Sequence, residues 1–106
     1  MLDKATVTSI VERYANVVAK ELSPSAIVLY GSHVKGTAHE ESDIDVAVIF
    51  NGFKDDWLKT SSNLWRLTED ISLDLEPILL DSTEDKSGFV RNVLKTGKVI
   101  YQAQAQ

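Results

Sequence analysis

With 106 residues, 43% of them apolar, the chain can bury one modest core and is too short for two domains. Its formal charge of −5 argues against a general basic grip on nucleic acid, which relies on many Lys and Arg contacts. The absence of cysteine removes disulfide frameworks, thiolate metal sites and Cys nucleophiles. From Val7 the residues Ile10, Val11, Tyr14, Val17, Val18 and Leu22 recur at steps of three and four, which predicts an amphipathic helix over residues 3–22, ended at Pro24. Ala26–Tyr30 is a short β-rich run stopped by Gly31, so it reads as a buried strand entering a tight turn. Residues 37–42 are polar and predict a loop.

Ile44, Val46, Val48 and Phe50 alternate with Asp43, Asp45, Ala47 and Ile49, which predicts a second strand with one core face and one that begins acidic and becomes apolar. Asp55 or Asp56 can cap a helix in which Trp57, Leu58, Ser61, Leu64, Trp65 and Thr68 keep helical spacing to about Asp70. The two tryptophans are expected as core and shoulder packing. Leu73-Asp74-Leu75-Glu76 alternates again, with both leucines expected to face the core and residues 78–80 extending the strand. Pro77 implies an edge strand, a bulge or a strand end. Ser87 can cap a short helix carrying Phe89, Val90, Val93 and Leu94, with Gly97 as a left-handed stop. Residues 99–101 complete the strands, and 102–106 are expected to fray. The order fits an α/β (α+β) protein, one domain over 1–106 with a small mixed sheet and helices packed on it. No stretch is long enough to span a membrane, and no apolar signal core follows Met1, so a cytoplasmic protein is the expectation.

The chemistry concentrates in Gly31-Ser32, ten residues, then Asp43-Ile44-Asp45. Gly31 directly after a strand can take backbone angles closed to other residues, letting the N–H groups from Ser32 onward converge on an anion. Ser32 adds a hydroxyl donor, and Lys35 a nearby positive charge if residues 33–35 form a helical turn. Asp43 and Asp45, two apart on a strand, project from one face about 6–7 Å apart. Two such carboxylates repel one another, and a hard oxygen-loving ion such as Mg²⁺ would relieve that repulsion while bringing charge to a phosphoryl group. A third carboxylate should come from a neighbouring strand. Asp74 and Glu76 share the polar face of the third strand, and periodicity does not choose between them. His33 and His39 lie in polar segments and are read as exposed and idle. The spacing of Gly31 and Gly36 mimics a Walker A loop, but Thr37 and Ala38 stand where that loop needs Lys and Ser or Thr.

These residues resemble the minimal nucleotidyltransferase (MNT-type) domains of the DNA polymerase β-like superfamily, whose signature is Gly-Ser, ten residues, Asp-x-Asp. Gly31, Ser32, Asp43 and Asp45 match it without a gap. The likeness extends to the leading helix, the Ile-Val-Leu-Tyr strand, the Asp-Leu-x-Pro strand and the closing Gly-x-x-Ile-Tyr segment. The resemblance implies transfer of a nucleoside monophosphate, AMP from ATP, to an acceptor hydroxyl with release of pyrophosphate. It implies that Gly31 and Ser32 hold the terminal phosphates, that Asp43 and Asp45 bridge two Mg²⁺ ions, and that Asp74 rather than Glu76 is the third carboxylate. Larger relatives carry a second, acceptor-binding domain, and small stand-alone members act as antitoxins of a HEPN-domain toxin, some by adenylylating a tyrosine of it. The expected partner is therefore such a toxin, and the alternative is a non-catalytic antitoxin of the same fold.

Overall fold

The computed structural model describes residues 3–38 and 42–104. His39, the middle of the 37–42 loop and the last two residues of the expected tail lie outside them. The first helix, α1 (Lys4–Leu22), starts at Asp3, whose carboxylate accepts from the Thr6 N–H at 2.8 Å. It ends at Ser23, held left-handed at φ 52°, immediately before Pro24. Its apolar stripe buries Val7, Val11, Tyr14, Ala15 and Val18. Four strands follow as β1 (Ala26–Tyr30), β2 (Ile44–Phe50), β3 (Leu75–Asp81) and β4 (Lys98–Gln102), interleaved with α2 (Ser32–Lys35), α3 (Trp57–Arg66) and α4 (Phe89–Thr96).

The strands form one mixed sheet in the order β3-β2-β1-β4. β1 runs antiparallel to both β2 and β4, whereas β2 and β3 are parallel, joined by the α3 crossover. Pro77 therefore sits on an edge strand, one of the three places open to it. One sheet face carries Ile27, Leu29, Val46, Val48 and Leu79 against α1 and Leu64 of α3. The other carries Val28, Ala47 and Ile49 against Val90 and Val93 of α4. This explains the shift from acidic to apolar along β2: α4 covers Ala47 and Ile49, while Asp43 and Asp45 stand at the entrance of the strand. The buried Tyr14 hydroxyl donates to Leu64 O at 2.8 Å, capturing a carbonyl that the last turn of α3 leaves without an intrahelical partner.

Several sequence expectations need correcting. α3 stops at Arg66 rather than near Asp70, because the buried Thr68 hydroxyl donates to Trp65 O at 2.7 Å and the chain continues in turns. Neither tryptophan is core: Trp57 is 46% and Trp65 48% exposed, and Trp57 packs edge-on against Phe53. Leu73, expected to face the core, is 84% exposed, since Leu73 and Asp74 lie in a turn and β3 begins only at Leu75. The cap of α4 is chiefly Asp85, which accepts from Val90 N at 2.9 Å and Arg91 N at 3.1 Å, while Ser87 Oγ takes Phe89 N at 3.3 Å. Gly97 is not left-handed but extended at φ −83°. Its glycine is needed for closeness: a Cβ there would lie 2.6 Å from Val93 O and 2.8 Å from Leu29 O. The tail is tied at its start, because Gln102 pairs with Ala26 and Ala103 N donates to Ser25 O at 2.9 Å.

Asp81, at the end of β3, clamps two loops. Its carboxylate accepts from Gly52 N at 3.0 Å, Phe53 N at 2.9 Å, Thr83 N at 2.9 Å and Thr83 Oγ1 at 2.7 Å. These donors, Phe53 N first, hold it well below the usual carboxylate range. A group with a depressed folded pKa stabilises the fold above its unfolded pKa of about 4 and loses that contribution as pH falls further. Asp81→Asn should thus be less stable than wild type at neutral pH, with a gap that narrows on acidification below about pH 4; urea midpoints measured across that range check it, and a pH-independent gap contradicts the clamp. Gly97→Ala should destabilise by about 1–3 kcal/mol, because backbone carbonyls on both sides leave its methyl group no space. The same denaturation measurement reads it.

Candidate nucleotidyl-transfer site

The sheet order decides what meets at one end of the molecule. Because β1 is antiparallel to β2, the end of β1 lies beside the start of β2. Because β3 is parallel to β2, its start lies there too. Tyr30 is the register partner of Asp45 on one side and Glu76 its partner on the other. Directly after Tyr30, Gly31 adopts φ 82° and ψ −150°, a conformation that side-chain-bearing residues avoid. A Cβ on Gly31 would also run into Asp45 Oδ2 and sit 3.2 Å from its Cγ. The missing side chain therefore creates the space in which the Asp45 carboxylate rests against the turn.

Gly31 O accepts from Val34 N and Lys35 N at 3.1 Å each, and Gly36, left-handed at φ 78°, closes the single turn of α2 through a bond to Ser32 O at 3.1 Å. The N–H groups of Ser32 and His33 open this turn, where helical geometry supplies no acceptor. The Ser32 side of the turn is half-buried, whereas Lys35 is exposed at the last position of α2 with no ion pair among the described residues. His33 is half-buried rather than exposed, and its Nε2 lies 3.4 Å from Ser42 O.

The carboxylates that come together are Asp43, Asp45 and Glu76. Partial burial and then the charge of Asp43 push Asp45 up, with His33 pulling the other way. Glu76 is also pushed up, first by desolvation and then by the neighbouring Asp43 and Asp45 carboxylates. Asp74 is not brought to this group. It precedes β3 in a turn, where its N–H donates to Ser72 Oγ at 3.2 Å and its carbonyl accepts from Ile44 N at 2.8 Å. Its exposed carboxylate makes no hydrogen bond or ion pair among the described residues. The strand's true start supplies the physical reason, since only Leu75 onward is in register with β2.

Tyr30 was legible only as a strand residue. It is half-buried on the carboxylate side of the sheet, packs edge-on against Phe89 with ring centroids 5.9 Å apart, and has its hydroxyl pushed up by burial, then by Asp45 and Glu76. The alternation of β1 was the available signal, because Leu29 faces α1 and Tyr30 must then face the other way.

Among the described residues no group of three His, Cys, Asp or Glu side chains is arranged to hold an ion by itself. The donor chemistry nevertheless fits a hard divalent cation: three carboxylates, of which Asp45 and Glu76 are disfavoured as anions by desolvation and by the charge of Asp43.

A glycine turn, a serine hydroxyl and carboxylates from two parallel strands at one sheet end define the layout of an enzyme that handles nucleotide phosphates. The chain belongs to the Polymerase beta, Nucleotidyltransferase family, which residues 12–106 match. Among solved structures it is similar to a protein from Sulfolobus solfataricus described as a nucleotidyltransferase, at 20% identity and a TM-score of 0.72, over 93% of this chain and 83% of that one. It is also similar to a toxin-antitoxin protein crystallised with AMP-PNP, at 27% identity and a TM-score of 0.62, over 88% of this chain and 74% of the other. The toxin-antitoxin MntA-HepT structure shares the fold at 22% identity and a TM-score of 0.57, over 91% and 74%. No protein of curated function matches the sequence. No described helix is long and apolar enough to cross a membrane.

If the contact between Gly31 and Asp45 sets the site, Gly31→Ala should destabilise by about 1–3 kcal/mol from backbone strain alone, and more from the collision with Asp45. The loss should be smaller in an Asp45→Ala background, which removes the steric part. A double-mutant cycle by chemical denaturation measures this, and equal losses in both backgrounds would contradict the close contact.

Proposed function

We propose that this protein transfers AMP from ATP to a hydroxyl of a partner protein, releasing pyrophosphate, and that it acts as the antitoxin toward a HEPN-domain toxin. The observation that carries the reading is the convergence of the 31–36 turn with Asp43, Asp45 and Glu76 at one sheet end. The family supports nucleotidyl transfer. The AMP-PNP named with the 27%-identical toxin-antitoxin neighbour supports an adenine nucleotide, and that neighbour together with MntA-HepT supports a toxin as partner. The net charge of −5 favours a protein acceptor over a nucleic acid.

In this reading the N–H groups of Ser32 and His33 and the Ser32 hydroxyl hold the terminal phosphates, and Lys35 adds positive charge at the mouth of the turn. Asp43, Asp45 and Glu76 would hold two Mg²⁺ ions, which supply charge neutralisation to the reacting phosphate. Glu76 replaces Asp74 as the third carboxylate, because its register with Asp45 puts its carboxyl beside the pair. The acceptor oxygen attacks the α-phosphorus in line, the bond to the pyrophosphate oxygen breaks, and a Glu76 oxygen takes the acceptor's proton. No covalent intermediate is needed, so positioning and charge carry the catalysis.

The test is transfer of labelled AMP from ATP to the product of the neighbouring gene, read by intact mass. Glu76→Gln should lower the rate about a hundredfold or more, as Asp43→Asn and Asp45→Asn should, while Asp74→Asn keeps most activity. An inactive Asp74→Asn with an active Glu76→Gln would reverse the assignment of the third carboxylate. Tight toxin binding with no mass gain would leave a non-catalytic antitoxin.

A further inference from the structure

A cavity of about 280 Å³ opens on the other side of the 31–36 turn, on the sheet face that carries α1. Its apolar wall comes from Val7, Leu29 and Val34, and Lys4 and Lys98 stand at its edge. Lys98 is the register partner of Leu29, and Leu29 packs toward α1 while Tyr30 packs toward α4. The cavity and the carboxylates therefore lie on opposite faces of the sheet, meeting only at Ser32 and His33.

The charge around this cavity runs against the composition of the chain. Asp and Glu outnumber Lys and Arg by 16 to 11, yet among the described residues no Asp or Glu lines the cavity and two lysines do. Neither lysine forms an ion pair among the described residues, and Lys98 Nζ reaches only Thr8 Oγ1, at 3.4 Å. Two cations held at one opening repel each other unless an anion joins them. The apolar wall would be wasted on a bare inorganic ion, and a single carboxylate would answer only one of the lysines.

We propose that this cavity is a binding site for a small organic phosphate. Its dianionic head lies between Lys4 and Lys98, with the Thr8 hydroxyl as a further donor, and its apolar part rests on Val7, Leu29 and Val34. The inference stands independently of nucleotidyl transfer, since none of the three carboxylates takes part. An occupant would nevertheless touch Ser32 and His33 from behind, so a ligand here can change how the 31–36 turn receives phosphate on the other face.

The experiment is a titration of the protein with phenyl phosphate, in EDTA and without nucleotide, followed by two-dimensional amide NMR. Saturable shifts are expected at Val7, Thr8, Leu29 and Gly36, and they should persist in Asp45→Asn. The double variant Lys4→Gln/Lys98→Gln, whose exposed side chains leave the fold intact and whose remaining spectrum should superimpose on wild type, should bind about tenfold more weakly or worse. Benzoate and inorganic phosphate should each bind more weakly than phenyl phosphate. The proposal is overturned by the absence of saturable shifts, by shifts centred on Asp43, Asp45 and Glu76, by unchanged affinity in the double lysine variant, or by inorganic phosphate binding as tightly as the ester.

Discussion

The contact on which the rest of the site depends is that between the Gly31 backbone and the Asp45 carboxylate. It joins the end of β1 to the start of β2 at a distance no side chain at position 31 would permit. Both partners are held from elsewhere: Asp45 by the antiparallel ladder with β1 and the parallel ladder with β3, Gly31 by two N–H groups donating to its carbonyl. The N–H groups of the turn and the carboxylates are thereby fixed on one side of the sheet before any ligand arrives. Such preorganisation is what phosphoryl chemistry requires, since its catalysis rests on positioning and charge.

The two faces of the sheet divide the work. α1 and α3 bury the larger cluster, with Tyr14 tying the two helices through Leu64 O. α4 covers only the smaller cluster of Val28, Ala47 and Ile49. Its short reach leaves the entrances of β2 and β3 uncovered, so three carboxylates can gather there without being sealed in a low-dielectric core. Partial burial raises Asp45 and Glu76 without removing them from solvent. The edge pair of Tyr30 and Phe89 closes the gap between α4 and this group.

A likeness at 20–27% identity identifies a fold and an arrangement of strands. What it does not supply is the position of each side chain at a strand's first residue. That was the difficulty with the third carboxylate: a motif-based alignment selects Asp74, while the ladder sets Glu76 opposite Asp45. A shift of two residues in where a strand begins, from Leu73 to Leu75, is enough to change which side chains stand in register with Asp45, and Asp74 N donates instead to Ser72 Oγ in the preceding turn.

The sequence by itself determined the elements that local physics controls. The stripe of Val7, Val11, Tyr14 and Val18 announces a helix, and the apolar run stopped by Gly31 announces a strand and turn. The alternation after Asp43 sets two carboxylates on one strand face, each from residues only a few positions apart. The tertiary structure alone decided what depends on contacts between distant segments. Tyr30 and Glu76 flank Asp45 because of strand order and direction, which no local pattern encodes. Gly97 is required by Val93 and Leu29 carbonyls rather than by its own dihedral angles. Trp57, Trp65 and Leu73 remain largely outside because helical spacing fixes a residue's direction from its own axis but not whether another element stands there to cover it.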